Sequence, residues 1–398
     1  MKILFLAPQP FYQERGTPIA VRLLLRALSE RGDQVHLLTF PEGEDVDLPG
    51  LTIHRIDPWP KVTGVRPGFS LKKVYGDLFL SVEALQMARQ IDPDVIHATE
   101  ESVFLAQALR KILRVPFVYD MDSSMSDQIV DRFPSVQPFR SWMERLEGSA
   151  VRAAHTVVPM CDALAQSAQR FGARNILVLR DVSLLGSENG DEKEPISVLR
   201  LREDERLRDG KIVLYVGNLE PYQGIDLLLE AFQRAHELDP SARLVVVGGI
   251  PAHVEAYTRR AVELGLEERV VFTGPQPVGH LSALLAQADL LVSPRTQGEN
   301  TPMKVYTYLD SGVAVLMTDL PTHTQVANRE HAGLADPEPR PFGEEMAALL
   351  GDDARRRALA AAAKDLIRRE HSYESFRRRV HELYGSLEAE LAGPEPTS

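Results

Sequence analysis

An alternation of short apolar runs with longer helical patterns, run through twice, most constrains what this chain can fold into. In the first series KILFLAP, QVHLLTF, DVIHA, FVYDM, HTVVPM and NILVL read as strands, and TIHRI as a short edge strand. Between the first two lies IAVRLLLRALSERG, an amphipathic helix stopped by Gly32. Apolar strands separated by helices predict a parallel sheet covered on both faces.

Around residues 181–210 the texture changes. GSENGDEKEP and REDERLRDG are polar, and they read as a linker with an exposed connection. The alternation then restarts with KIVLYVG, a helix over 225–238, RLVVVGG, a helix through Ala261, VVFTG, a helix near 281–286, LLVSP and VAVLMT. A long helix from about residue 345 and a final helical piece, SYESFRRRVHELY, follow. The reading is two doubly wound domains, 1–180 and 211–371, joined by 181–210 and closed by a helix over 372–392. A length of 398 residues, too great for one ordinary core, agrees with that division.

Composition excludes several classes. A formal net charge of -12 argues against non-specific nucleic-acid binding. The single cysteine, Cys161, excludes a disulfide framework and a Cys-rich metal site. No apolar run reaches the length of a membrane span. The opening MKILFLAP is short for a signal peptide and reads as a first buried strand, so a cytoplasmic protein is expected.

Ligands of open α/β sheets sit beyond the carboxyl ends of the strands, here in a cleft between the halves. The loops to inspect are therefore 8–17, 120–126, 217–224, 248–252, 274–277 and 295–301. The last is the strongest, within SPRTQGENTPMKVYTYLDSG. Pro302 suits a first helical turn, with Glu299, Asn300 and Thr301 just before it. Open N–H groups and the helix dipole make such a turn an anion site, to which Arg295 and Lys304 add charge. Capping by Asn300 or Thr301 explains the same spelling, and the two roles can coexist.

Other features have plainer readings beside them. Gly16 and Thr17 spell a turn glycine and a cap before Pro18. Asp122 and Ser123 can cap the next helix. Asp120 and Asp122 invite a metal reading, but two acids are a common accident, and no metal is expected. His54, His97, His155 and His323 have no partner at ligand spacing and read as core or surface residues. WPKVTGVRPGFSLKKVY combines four cations with Trp59, Phe69 and Tyr75. It reads as a solvated loop, or as a surface for peripheral contact with anionic membrane.

Taken in order, these motifs resemble glycosyltransferase family 4. VGNLEPYQGIDLLLEAF is similar to the strand, loop and helix that open that family's second domain. ADLLVSPR followed by GENTPMKVYTYLDSGVAVL is similar to its nucleotide-sugar loop. LFLAP, the Gly16 loop, RGDQVHLLT and DPDVIHA fit its first domain. The resemblance implies a GT-B fold with two Rossmann-like domains, and metal-independent, retaining transfer of a hexosyl unit. The donor would be a UDP- or GDP-sugar, used as co-substrate with no further cofactor, and the acceptor a glycan or glycolipid hydroxyl. The final helix would cross back onto the first domain.

Carried over by position, the resemblance puts Glu299 near the donor sugar and Asp122 where the family has a histidine near the reacting centre. Gly16, Thr17, Gly217, Asn218, Gln223, Arg295, Gly298, Asn300, Thr301, Pro302 and Lys304 fall around the diphosphate. Phe272, Gly274, Tyr306 and Thr307 fall around the nucleoside. Three positions depart from the family's pattern. Asn218 and Gln223 stand where an arginine and a lysine usually meet the diphosphate, and Thr307 replaces a carboxylate that holds ribose hydroxyls. These departures suit a second reading as well, a degenerate GT-B protein that binds a sugar or a partner without turnover.

Overall fold

The computed structural model describes residues 1–13, 16–60, 64, 71–185 and 199–392. The segment rich in cations and aromatics, and much of the linker, lie outside these residues or only partly within them. The chain divides into two units: Met1–Arg180 with the closing segment from Phe376, and Asp181–Ser375.

The strands of the first unit are β1 (Lys2–Ala7), β2 (Gln34–Thr39), β3 (Leu51–Arg55), β4 (Val95–Thr99), β5 (Phe117–Met121) and β6 (Thr156–Pro159). They form one parallel sheet in the order β3-β2-β1-β4-β5-β6. The helices Leu71–Ile91, Ser102–Leu113 and Arg140–Ala153 share an apolar core with these strands, through Leu80, Ala84, Val103, Ala106, Ala150 and Val151. The closing helix Tyr373–Ala392 is tied in by Tyr384, whose hydroxyl lies 2.7 Å from His97 Nδ1, and by Arg379, which donates to the carbonyl of Val178.

The second unit repeats the design with β7 (Lys211–Val216), β8 (Ala242–Val247), β9 (Val270–Gly274), β10 (Leu290–Ser293), β11 (Val315–Thr318) and β12 (Gly333–Ala335). Its order, β12-β11-β10-β7-β8-β9, is again parallel. Alternate residues of β7 feed opposite layers, Val213 and Tyr215 one core, Ile212 and Leu214 the other. Gly343 lets two helices of this unit touch, since a Cβ there would lie 2.4 Å from the carbonyl oxygen of Ala231.

Several expectations change. NILVL is not a strand; it follows β6 through one isolated bridge, Val157 to Ile176. The long helix near residue 345 is two helices, Pro339–Gly351 and Asp353–Glu370, broken where Asp352 caps the second by accepting from Arg355 N. The short strand β12 carries too few apolar residues to announce itself. The polar connection is also less exposed than its composition suggests, because Leu201 and Leu207 are buried in the second unit's core.

Candidate functional site

Four loops at the carboxyl edge of the second sheet are fastened backbone to backbone. A Cβ on Gly248 would stand 2.1 Å from the carbonyl oxygen of Gly217, and one on Gly224 2.0 Å from that of Pro294. Both glycines also hold a positive φ, at 112° and 74°. Gly248 N donates to Gly274 O at 2.8 Å, which ties in the loop after β9. Tyr308, on helix Met303–Asp310, clamps the end of β7: Val216 N donates to its hydroxyl at 2.6 Å. The sequence pattern gave no sign of this clamp.

Arg295 is buried and folds back into its own loop. Its Nε donates to the carbonyl of Gln297 at 2.5 Å and its Nη2 to Asn300 Oδ1 at 2.9 Å. Its guanidinium lies 5.4 Å from the centre of the Tyr222 ring. Gly298 is required beneath it, since a Cβ would meet Nη2 at 2.1 Å. Lys304 Nζ donates to Gln223 Oε1 at 2.9 Å and stands 3.9 Å from the centre of the Tyr215 ring. Gln223, at the position of the resemblance's missing lysine, therefore holds a lysine supplied from another element. Burial lowers the pKa of Arg295 and pushes that of Lys304 well below the usual lysine range, where Arg295 lowers it further. Among the described residues neither cation has a carboxylate partner. A buried arginine and a half-buried lysine beside it, held by amide, carbonyl and ring contacts, suit an incoming anion.

Pro302 occupies the N-cap of helix Met303–Asp310, one place before the expected first turn, and itself offers no side-chain cap. The loop ahead is braced from behind instead. Gln325 Nε2 donates to the Glu299 carbonyl at 2.8 Å and to Thr301 Oγ1 at 3.0 Å, and Thr322 donates to the Asn300 carbonyl at 2.6 Å. The Glu299 side chain is exposed. Beneath the loop His323 is fully buried, donating from Nδ1 to the Thr318 carbonyl at 2.9 Å, with Nε2 2.9 Å from Ser293 Oγ. Burial drops its pKa to about 3, so it is neutral.

Asn218 is exposed; its Oδ1 accepts from Glu220 N at 3.3 Å and its carbonyl from Tyr215 OH at 2.6 Å. Thr307 is buried and accepts from Leu184 N at 3.2 Å. Tyr306 is buried too, its ring 5.1 Å from that of His371. Phe272 is half-buried against the core beside Gly274, which has a φ of 69°.

In the first unit, Gly16 opens helix Gly16–Arg31, so Thr17 and Pro18 lie inside its first turn rather than before it. A Cβ on Gly16 would meet nothing within 4 Å. Asp122 follows β5 directly. The N–H groups of Met125 and Ser126 at the next helix start go to buried Glu147, at 3.1 and 3.3 Å, a cap that sequence spacing did not reveal. Asp120 lies 3.4 Å from His97 Nε2. His36 Nδ1 and His54 Nε2 lie 3.2 Å apart across the β2–β3 edge. Among the described residues no group of three or more His, Cys, Asp or Glu side chains could hold a metal ion. No described helix is long and apolar enough to cross a membrane.

Two families match, "Glycosyl transferase 4-like domain" over residues 15–180 and "Glycosyl transferases group 1" over residues 199–366. The sulfoquinovosyl transferase of Arabidopsis thaliana is 27% identical over 79% of this chain and 58% of its own length. The GDP-mannose-dependent phosphatidylinositol monomannoside mannosyltransferase of Mycolicibacterium smegmatis is 37% identical over 26% of this chain and 28% of its own. The chain thus spans less than two thirds of the length of these curated relatives. Anabaena HepE, solved in complex with UDP, superposes with a TM-score of 0.75 at 18% identity, over 97% of this chain and 100% of that one. Two Rossmann-like units of this topology and the two matched families lead to one assignment: the chain belongs to the GT-B glycosyltransferases of the family 4 type.

Proposed function

We propose that the chain is a retaining, metal-independent hexosyltransferase that uses a UDP- or GDP-sugar and a hydroxyl acceptor of a glycan or glycolipid. The observation that carries this reading is the pair Arg295 and Lys304, a buried and a half-buried cation with no carboxylate partner among the described residues, beside a helix start whose N-cap is a proline. The diphosphate lies over the first turn of helix Met303–Asp310, where N–H groups and the Lys304 ammonium meet it. Arg295 acts mainly by shaping the loop that presents Glu299 and Asn300 to the sugar. The base lies against backbone near Phe272 and Gly274.

As the bond from anomeric carbon to phosphate oxygen breaks, negative charge grows on that oxygen. Donors fixed in advance stabilise this change because their bonds strengthen in the transition state. The acceptor oxygen bonds to the anomeric carbon on the face the phosphate leaves, and the phosphate takes the acceptor's proton. Asp122 is the first unit's contribution to the sugar or the developing positive charge. HepE in complex with UDP and the GDP-mannose-dependent mannosyltransferase support the two donor classes.

Incubation of the purified chain with UDP- and GDP-hexoses tests this, with NMR of the product's anomeric configuration. Release of nucleoside diphosphate with a retained anomer is expected; an inverted product would refute the mechanism. Binding without turnover of any sugar nucleotide would favour the degenerate reading. The side-chain bonds of Asn218 and Thr307 to backbone within their own unit are the observation on that side.

A further inference from the structure

Nine of the exposed large apolar side chains lie between Val74 and Leu146, in the first unit. They are not scattered. Val74, Leu78 and Val82 recur every four residues on helix Leu71–Ile91, which makes one stripe. Trp142 and Leu146 do the same on helix Arg140–Ala153, where Trp142 is 60% exposed. Helix Ser102–Leu113 packs between those two helices and exposes Phe104 and Ile112. All three turn their small and aliphatic residues to the sheet, so the stripes stand side by side on the outer face of one layer.

The charge on this face is as selective as its apolarity. The chain has 57 acidic and 45 basic side chains, yet no exposed position of the three helices is acidic among the described residues. Lys72, Arg89, Lys111 and Arg145 are exposed there. Of the partly exposed acids, Glu83 accepts from Asp57 N and Glu144 pairs with Arg140, while burial raises the Asp77 carboxyl to about 7. Helix Asp353–Glu370, by contrast, exposes Asp353, Asp365 and Glu370.

We infer that this three-helix face docks on an anionic lipid surface. Apolar stripes flanked by cations, with acids withheld, match a bilayer's acyl boundary and its negative headgroups. Self-pairing would bring the same cations together, so the charge favours an anionic partner over a second copy. The face shares Lys72 and Val74 with the cation and aromatic segment over 59–75, and the inference does not depend on glycosyl transfer.

Sedimentation of the full chain with phosphatidylcholine vesicles, with and without about one third phosphatidylglycerol, tests it. Binding to the anionic vesicles alone is expected, weakened by salt. Lys111→Glu with Arg145→Glu should reduce it at least about tenfold, since each basic side chain near the surface adds about a fivefold gain. Leu78→Asp with Trp142→Asp should abolish it, with thermal unfolding unchanged because both residues are exposed. Failure to bind anionic vesicles overturns the inference. So does unchanged binding by both double variants. A homo-oligomer or an acidic protein complex that Leu78→Asp with Trp142→Asp dissolves, without vesicle binding, assigns the face to that occupant instead.

Discussion

Replacing Lys304 by methionine should separate folding from binding. On the folding side the variant loses the bond to Gln223 Oε1 and the contact with the Tyr215 ring, about 2–4 kcal/mol together. It also removes a half-buried, desolvated ammonium with no carboxylate partner among the described residues, a relief of up to a few kcal/mol in the other direction. These effects oppose, and the net change should stay within about 1 kcal/mol, or roughly 2–4 °C in a unit of this size. On the binding side nothing offsets the loss. A charge-assisted bond to a phosphate oxygen contributes about 1.5–3 kcal/mol, so a nucleoside diphosphate should bind about 10- to 150-fold more weakly. The free nucleoside should bind as before. There is also a proton signature. Burial holds Lys304 well below its usual range, and an arriving dianion favours the charged form. Diphosphate binding should therefore take up a proton at alkaline pH in the native chain and not in the variant. Calorimetric titration of UDP and GDP against uridine and guanosine, in buffers of different ionisation enthalpy, reads all of this. Equal weakening of nucleoside and diphosphate would refute the reasoning, as would a melting point that collapses while diphosphate affinity holds.

Other perturbations probe the surrounding parts. Gly298→Ala places a Cβ against the Arg295 guanidinium at a φ of 105°; about 1–2 kcal/mol of local strain should loosen the loop and weaken sugar-nucleotide binding, and unchanged affinity would show that Arg295 need not sit there. Glu299→Gln should lower transfer at least about tenfold while leaving the melting point alone, because the side chain is exposed; undiminished turnover removes Glu299 from the reaction. In the first unit, burial raises Asp77 to about 7 and Glu101 to about 8 beside Lys73. The folded state thus keeps protons that the unfolded chain has released, so this pair's contribution falls as pH rises from about 4 to about 8. Asp77→Asn should flatten that slope in thermal unfolding, whereas a profile parallel to the native one would discount the pair.

Much of the fold was legible because parallel strands buried on both faces leave an unbroken apolar signature. The alternation located eleven of the twelve strands among the described residues and the edges that carry the candidate site. NILVL misled because apolar content alone does not distinguish a strand from a segment lying along β6. The loop at 295–301 stood out by its proline, small polar residues and two cations, a spelling that suits an anion site or plain helix capping. What the sequence hid is how those cations are held. Gln223 and Lys304 are 81 residues apart yet share a hydrogen bond, which brings a lysine to the loop after β7 from another element. The capping of the helix after Asp122 by Glu147 was hidden for the same reason, since the partner comes from another helix.

The central claim is that the second unit holds a diphosphate through Arg295 and Lys304. Direct titration of the native chain with UDP, GDP and the two nucleosides tests it most plainly. One diphosphate should bind at least about tenfold more tightly than its own nucleoside, with the advantage shrinking as salt is added. Nucleosides binding as well as both diphosphates, or no binding by any of the four, would contradict it.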